Sequence, residues 1–302
     1  MKLTFLGTAA AEGFPDPFCA CTNCEDARVE GGPALRMRSS ALIDDLLLID
    51  FGPDIAKAAL QFDVRLISIP FALQTHPHSD HLDGLTIFAR AAMCQVESLE
   101  VTRYFCSQTA IARMDELLGL GKRDRTFSDP AVQSEFSFNI ETIAPWQETH
   151  VGHYRVQTVA ANHDIGVEAM LFAIEDTNTG DRLFYGTDTG SLPGETWSRL
   201  AGLGWRFDIL ILDHTFGFGA RTNGHLNQEQ FLEEVEAARA AGAIDDDTRV
   251  FATHIAHHSN PAHGKLVARA QLHGYDIAYD GLTIDTADKG SMSGTRLRSV
   301  VR

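Results

Sequence analysis

The sequence predicts an α/β protein built as a four-layer αββα sandwich, with helices packed on the outer faces of two stacked sheets. Three observations lead there. Extended runs rich in β-branched and aliphatic residues alternate with helical patterns along all 302 residues. The extended runs are too numerous for one sheet of ordinary size. The helices whose boundaries can be read are amphipathic, so each has one face to bury. No Pro/Ser-rich linker, solenoid period or low-complexity segment interrupts the pattern, which reads as one domain over residues 1–302.

In chain order, Leu3 to Leu6 reads as the first strand, and Ser40 to Ile49 as a pair broken by a turn at Asp44-Asp45. The apolar run Ile69 to Leu73 follows, then Leu99 to Tyr104, Glu135 to Ile143 and Tyr154 to Val159. Ala169 to Ile174 and Arg182 to Tyr185 flank Asn178-Thr179-Gly180, a hairpin signal. Phe207 to Leu212, Arg249 to Thr253 and Tyr275 to Tyr279 complete the strands. A helix is expected from near Leu85. Asn227 followed by Gln230 forms a capping box for another, with Phe231, Leu232, Val235 and Ala238 on one face and Gly242 as its stop. Asn260-Pro261 opens a third, with Leu266, Val267 and Ala270 inward and Gly274 beyond its end. Residues 25–38 and 119–134 are polar and weakly patterned, so loops are expected there, the second a candidate for mobility.

Hydrophobic residues at 44% and charged residues at 22% exclude a disordered or collagen-like chain. The 25 Lys and Arg against 41 Asp and Glu leave a net charge of −16. That balance opposes general nucleic-acid binding, which needs a basic footprint. The amino-terminal Met1 to Gly7 is too short and unflanked for a secretory segment, and no apolar run approaches the roughly 18 residues of a membrane span. A cytoplasmic protein with no membrane partner is expected; its oligomeric state is open, a homodimer included. Five cysteines is an odd number, and three lie in Cys19-Ala20-Cys21-Thr22-Asn23-Cys24, a spacing that suits a metal better than a disulfide framework. Cys94 and Cys106 have no such neighbours and read as buried thiols.

The strongest signal is Thr75-His76-Pro77-His78-Ser79-Asp80-His81-Leu82-Asp83-Gly84, at the end of the Ile69 to Leu73 run. On an extended backbone His76 and His78 project to one side. Asp80 and His81 follow as the chain turns towards a helix and face a second point nearby. This N/O donor set is of the kind that binds Zn²⁺, Mn²⁺ or Fe. One cluster cannot close two metal sites, and further donors do stand at strand ends: His163 after the strand through Val159, Asp188 within Tyr185 to Gly190, and His254 after Thr253. Singly each is weak, since a lone His or an Asp between glycines is usually structural.

Together these residues resemble the metallo-β-lactamase superfamily, whose two-sheet sandwich carries a dinuclear site at one edge. The HxHxDH motif matches His76, His78, Asp80 and His81, and the later ligands match His163, Asp188 and His254. The resemblance implies that His76, His78 and His163 hold one divalent metal ion (Zn, Mn or Fe), that Asp80, His81 and His254 hold the other, and that Asp188 bridges both. Lactamases of the best-known type carry Cys at the bridging position, so Asp188 implies the branches acting on phosphoesters or thioesters.

Cys19, Cys21 and Cys24 can supply three thiolates to a structural Zn²⁺, with the fourth ligand open among His257, His258 and His263. Here the chain resembles the phosphoribosyl cyclic phosphodiesterases of the carbon-phosphorus lyase pathway, whose Cys₃His zinc implies His257. That subgroup also carries a catalytic histidine at the position of Gly224-His225-Leu226-Asn227. The resemblance implies a dinuclear metal-dependent phosphodiesterase acting on a small phosphate ester, cyclic ribose phosphates among the candidates, through a metal-bridging hydroxide. Asp80 and His225 are its expected catalytic residues, His225 binding the substrate phosphate or protonating the leaving group, with His214 the competing candidate. Gly7 to Pro15 reads as a flexible connector that could admit a ligand, and Arg36 and Arg38 as a solvated loop that could face an anion.

Two other activities match part of this pattern. Gly13-Phe14-Pro15 with the cysteine run and Asp213-His214-Thr215-Phe216 also resembles the iron-dependent peptide hydroxylase of pyrroloquinoline quinone biosynthesis, a family that departs from the full HxHxDH set. A tRNA 3′-end processing nuclease would need a basic arm, and no Lys/Arg-rich insertion offers one. A non-catalytic metal scaffold would be marked by missing ligands, and all seven are present.

Overall fold

The computed structural model describes residues 1–97 and 99–287. The first seven-stranded sheet takes β1 (Lys2–Gly7), β2 (Ser40–Ile43), β3 (Leu47–Ile49), β4 (Phe71–Leu73), β5 (Thr102–Cys106) and β6 (Phe138–Thr142). The chain then builds the second sheet from β7 (Glu148–Val151), β8 (Tyr154–Ala160), β9 (Met170–Asp176), β10 (Arg182–Gly186), β11 (Ile209–Asp213), β12 (Arg249–Thr253) and β13 (Asp276–Ile277). Finally β14 (Thr283–Asp285) returns to the open edge of β1. The spatial orders are β14-β1-β2-β3-β4-β5-β6 and β13-β12-β11-β10-β9-β8-β7.

The helices are α1 (Thr22–Glu30), α2 (Ile55–Phe62), α3 (Gly84–Phe88), α4 (Gln108–Leu117), α5 (Pro130–Glu135), α6 (Thr196–Gly202), α7 (Gln228–Ala240) and α8 (His263–Ala270). Alternation along the strands divides the apolar residues among three cores. Leu3, Phe5, Ile43, Phe105, Val156, Phe172, Ile211 and Phe251 meet between the sheets. Leu42, Leu48 and Tyr104, on the other face of the first sheet, pack on Ile55, Ala58, Ile111 and Met114 of α2 and α4. Phe184, Leu210 and Ala252 on the far face of the second sheet pack on Trp197, Leu200, Phe231, Ala238 and Leu266 of α6, α7 and α8. Three cores between four layers give the expected sandwich.

The Asp44-Asp45 turn is present with both residues at positive φ, and Gly180 (φ +80°) closes the β9–β10 hairpin. The Asn227–Gln230 capping box forms in full. Several boundaries differ. Residues 25–38 are not a loop throughout: α1 occupies Thr22–Glu30, a helix so polar that only Cys24 and Ala27 are buried, which hid its period. Within 119–134 a 3₁₀ turn spans Leu120–Arg123 and α5 takes Pro130–Glu135, so the strand expected from Glu135 starts at Phe138. The strand expected from Leu99 starts at Thr102, and Tyr275 to Tyr279 shrinks to Asp276–Ile277. Two edge strands, β7 and β14, lacked a readable alternation because one is polar and the other has three residues. Asn260 does not open α8: it is buried, its amide donating to the carbonyls of His214, Thr215 and Ala256, and the helix begins three residues later. Cys106 is buried as expected, whereas Cys94 is exposed in the 3₁₀ turn Ala92–Cys94. Among the described residues no helix is long and apolar enough to cross a membrane.

Candidate metal centre

All seven sequence-predicted donors meet where the two sheets share an edge. In the second sheet β8, β10, β11 and β12 run the same way, since β8 and β10 are both antiparallel to β9 while β10, β11 and β12 are parallel. His163, Asp188, Asp213 and His254 therefore leave, or lie at, the carboxyl ends of four strands at one edge. The His76 to His81 motif enters from β4 of the facing sheet, tied across by the Met170 amide donating to the Thr75 carbonyl (2.9 Å).

The donors form two groups sharing one carboxylate: His76, His78, His163 and Asp188, and Asp80, His81, Asp188 and His254. Within the first, His76 Nε2 and His78 Nδ1 are 3.0 Å apart, His163 Nε2 and His78 Nδ1 3.1 Å, and His76 Nε2 and Asp188 Oδ2 3.2 Å. Within the second, His81 Nε2 is 3.2 Å from Asp80 and 2.9 Å from Asp188, and His254 Nε2 is 3.4 Å from Asp188. Tetrahedral ligands about 2.05 Å from one ion lie about 3.3 Å apart, so these spacings fit a cation held by each group. Among the described residues, the buried His81 Nε2, His254 Nε2 and Asp188 Oδ1 have no hydrogen-bond partner. Buried polar atoms are rarely left so, and a cation satisfies all three. Burial would raise the Asp80 and Asp188 carboxyls, but the surrounding imidazoles outweigh it and hold both below the usual carboxylate range.

The outward ring nitrogens are fixed from behind, which sets each tautomer. His81 Nδ1 bonds buried Asp50 (2.7 Å), His254 Nδ1 bonds Thr215 Oγ1 (2.7 Å), His76 Nδ1 meets Thr75 Oγ1 (3.1 Å) and His163 Nδ1 meets the Gly224 carbonyl (3.2 Å). Asp50 also accepts from the Thr75 amide and hydroxyl and from Gln74 Nε2. Asp50 (φ +70°), Asp188 (φ +60°) and His254 (φ +58°) all adopt the left-handed region that non-glycine residues avoid. Such strain persists where surrounding structure over-determines it. Sequence reading missed Asp50, and it singled out Asp213 and Thr215 only within the Asp213-His214-Thr215-Phe216 run, without this supporting role; the one local signal was a polar residue closing the apolar strands before Asp50 and at Asp213.

His225 and His214 separate clearly. His225 is partly exposed and lines the cavity of about 210 Å³ above the donors, together with Glu12, His78, Asp188, Phe216 and His258. Its Nδ1 lies 3.1 Å from Asp213 Oδ2 and 3.2 Å from Asp188 Oδ1. Burial alone would lower its pKa, yet Asp213, Asp188 and Asp80 raise it to about 9. Cations on Asp188 and Asp80 would cancel two of these influences and leave Asp213 as the partner that keeps the proton. His214 is fully buried between Asn260 Oδ1 (3.0 Å) and Tyr275 Oη (3.1 Å), and burial lowers it to about 4. It is a neutral structural residue away from the cavity.

Cys19, Cys21, Cys24 and His257 also converge, all four donor atoms within 4.8 Å of one another. Cys21 Sγ and His257 Nδ1 are 3.7 Å apart, close to the roughly 3.6 Å that tetrahedral zinc sets between a thiolate and an imidazole. Burial opposes ionisation of Cys21, but hydrogen bonds from His257 and the Cys24 backbone bring it down to about 6, whereas burial and its thiol neighbours push Cys24 up to about 12. His257 is thus the histidine brought to the thiols. His258 reaches the cavity, and His263 Nδ1 meets an Arg36 guanidinium nitrogen (2.9 Å). Arg36 is buried, donating to Thr8 Oγ1 and the Ala278 carbonyl, so it belongs to no solvated loop and faces no substrate. Arg38 is tied to Asp54 (3.0 Å) and the Ala11 carbonyl (2.8 Å). Gly7 to Pro15 is likewise a pinned segment rather than a flexible connector: Ala10 bonds the Ile255 carbonyl and Phe14 pairs with Arg36.

A family model described as β-lactamase superfamily domain matches residues 46–255. The chain belongs to the metallo-β-lactamase superfamily. Among curated relatives of this superfamily member, coenzyme PQQ synthesis protein B of Methylobacterium sp. (strain 4-46) is 25% identical over 319 residues, covering 94% of this chain and 99% of the relative. Among solved structures, a diphosphatase of the PhnP family superimposes with a TM-score of 0.70 at 20% identity, covering 94% of this chain and 97% of the other. Zn²⁺-bound PqqB from Methylobacterium extorquens does so with 0.68 at 22% identity, covering 94% and 100%. Human tRNase Z, short form, gives 0.61 at 16%, covering 95% and 99%. At these identities the structural likenesses show the superfamily fold.

Proposed function

We propose that the chain is a dinuclear metal-dependent phosphodiesterase acting on a small phosphate ester, a cyclic ribose phosphate being the leading candidate. The observation that carries this reading is the pair of four-donor groups joined through Asp188, with the Asp213–His225 pair beside them on the cavity wall. His76, His78 and His163 would hold one divalent ion, Asp80, His81 and His254 the other, and Asp188 both. Such ions, when bound, supply an activated water and positive charge for the phosphoryl oxygens. The chain's own residues do the rest. Asp50 and Thr215 keep His81 and His254 aimed inward, and Asp213 orients His225 with its proton towards the cavity, where it can pass to the departing oxygen. The thiol clasp would hold a structural zinc, and its reduced cysteines suit a cytoplasmic setting.

The 25% identity to coenzyme PQQ synthesis protein B across 94% of the chain favours a second reading, an iron-dependent peptide hydroxylase. One experiment separates them: metal analysis joined to turnover of bis(4-nitrophenyl) phosphate. About three metal ions per chain with hydrolysis supports the phosphodiesterase; iron with no hydrolysis supports the hydroxylase.

A further inference from the structure

His258 stands on the cavity wall and belongs to neither catalytic donor group nor to the thiol clasp. It is held from several directions. On one side His257 is a clasp residue, and its carbonyl accepts from Asn23 Nδ2 (2.8 Å). On the other, the Ser259 carbonyl accepts from the Phe218 amide (3.1 Å), and buried Asn260 donates to the carbonyls of Thr215 and Ala256 (3.0 Å each). The ring itself lies against Phe216, with centroids 5.0 Å apart, and its Nδ1 is 3.0 Å from Ser259 Oγ.

That last contact decides which nitrogen carries the proton. A serine hydroxyl has a single hydrogen, and that of Ser259 is donated to the Thr215 carbonyl (3.3 Å). Towards His258 the same oxygen can only accept, so in the neutral ring Nδ1 is the donor. Nε2, on the opposite edge, keeps a lone pair and has no partner among the described residues. Phe216 also meets His225, at 5.8 Å, so the cavity wall presents a proton donor, a flat apolar ring and an acceptor together. An alcohol whose oxygen departs beside His225 would extend over Phe216 towards His258. The aromatic face suits the C–H side of a sugar, and a bare imidazole nitrogen suits a hydroxyl that donates. Resting on the phosphodiesterase reading above, we infer that His258 is a specificity-determining residue whose Nε2 accepts a hydrogen bond from a further hydroxyl on the alcohol that bears the departing oxygen. The site thereby prefers esters of polyhydroxy alcohols to those of alkyl alcohols of the same shape, and Ser259 is the positioning residue that holds the tautomer.

The test uses the full metal-loaded chain at about pH 8, where an ordinary imidazole is neutral. Ribose 1,2-cyclic phosphate and its 3,5-dideoxy analogue are compared as a kcat/KM ratio, and that ratio is then compared between proteins, which cancels the intrinsic reactivities of the two esters. One neutral hydrogen bond predicts a wild-type ratio about three- to tenfold above that of His258→Phe, which keeps a ring without an acceptor. Ser259→Ala should give a ratio between the two, and it carries the comparison if the phenylalanine variant does not fold. A merely structural role would lower turnover of both esters alike. Nitrogen-15 shifts of His258 in the wild type should show a protonated Nδ1 and a bare Nε2, a readout that needs no turnover. A ratio unchanged in either variant, or an Nε2–H tautomer, overturns the inference, while turnover of either cyclic ester leaves the phosphodiesterase reading standing. No hydrolysis of any diester by fully metal-loaded protein overturns both.

Discussion

Replacing Asp213 with Asn tests the role given to His225. Four donors converge on this fully buried carboxylate: the Thr215 amide (2.9 Å) and hydroxyl (2.8 Å), the Leu226 amide (3.0 Å) and His225 Nδ1 (3.1 Å). An amide retains one acceptor oxygen, so it can serve the two backbone amides but turns N–H towards Thr215 and His225. The loss of hydrogen bonds to a charged acceptor costs about 1.5–3 kcal/mol, a fall of several degrees in melting temperature. The larger effect falls on catalysis. General acid assistance contributes about 10²–10⁴-fold, and it matters for an alkoxide leaving group far more than for 4-nitrophenolate. Asp213→Asn should therefore lower kcat for a cyclic ribose phosphate by about 10²–10³-fold and for bis(4-nitrophenyl) phosphate by less than about tenfold. The pH profile gives the sign independently. His225 must be protonated to act, so activity on the alkyl ester falls as pH rises through its pKa, which carboxylates alone raise to about 9 and bound cations draw lower. Removing the Asp213 charge moves that limb to still lower pH. Equal losses on both substrates, at unchanged metal content, would refute the proton-donor role and leave Asp213 as a support for His254 through Thr215.

Asp280 gives a stability test. It is buried and accepts from Thr8 Oγ1 and the Met37 amide, and burial raises it from 3.8 to about 7. A pKa raised by folding means that the native state holds a proton which the unfolded chain releases. That contribution is full below about pH 4 and is lost as pH rises through about 7, at most about 4 kcal/mol. Urea unfolding should thus show Asp280→Asn gaining on the wild type between pH 5 and 8; a constant difference contradicts this. Cys24→Ser should reduce zinc by one ion per chain and lower the melting temperature, while the two catalytic ions remain by metal analysis. Gly190→Ala places a Cβ 1.9 Å from the Asn223 carbonyl oxygen, which must shift the strip leading to His225. A loss of about 1–3 kcal/mol by thermal melting and a fall in activity are expected, and native values for both would show that strip to be slack.

The donors were legible because each signal is local. The His76 to His81 motif is compressed into six residues at a strand end, and His163, Asp188 and His254 follow strands whose apolar character is plain. Their supports were not. Asp50 reaches His81 across 31 residues, and Asp213 reaches His225 only once β11 and the entrance of α7 are brought together. The choice between His214 and His225 could not be made from neighbouring positions, since it depends on which face of the sheet edge each presents. Arg36 looked like a loop cation because charged residues are seldom buried; its partners lie on Thr8 and Ala278, near opposite ends of the chain. Polar α1 and the short edge strands carried too little periodicity to be seen at all.

The stretch from His254 to His258 gives one residue to the catalytic donors, one to the thiol clasp and one to the cavity wall. Its length is therefore a gauge: inserting or deleting a single residue between His254 and His257 would throw at least one of these out of register. Variation among relatives that keep both the thiols and the donors should fall on either side of this spacer and leave its length alone.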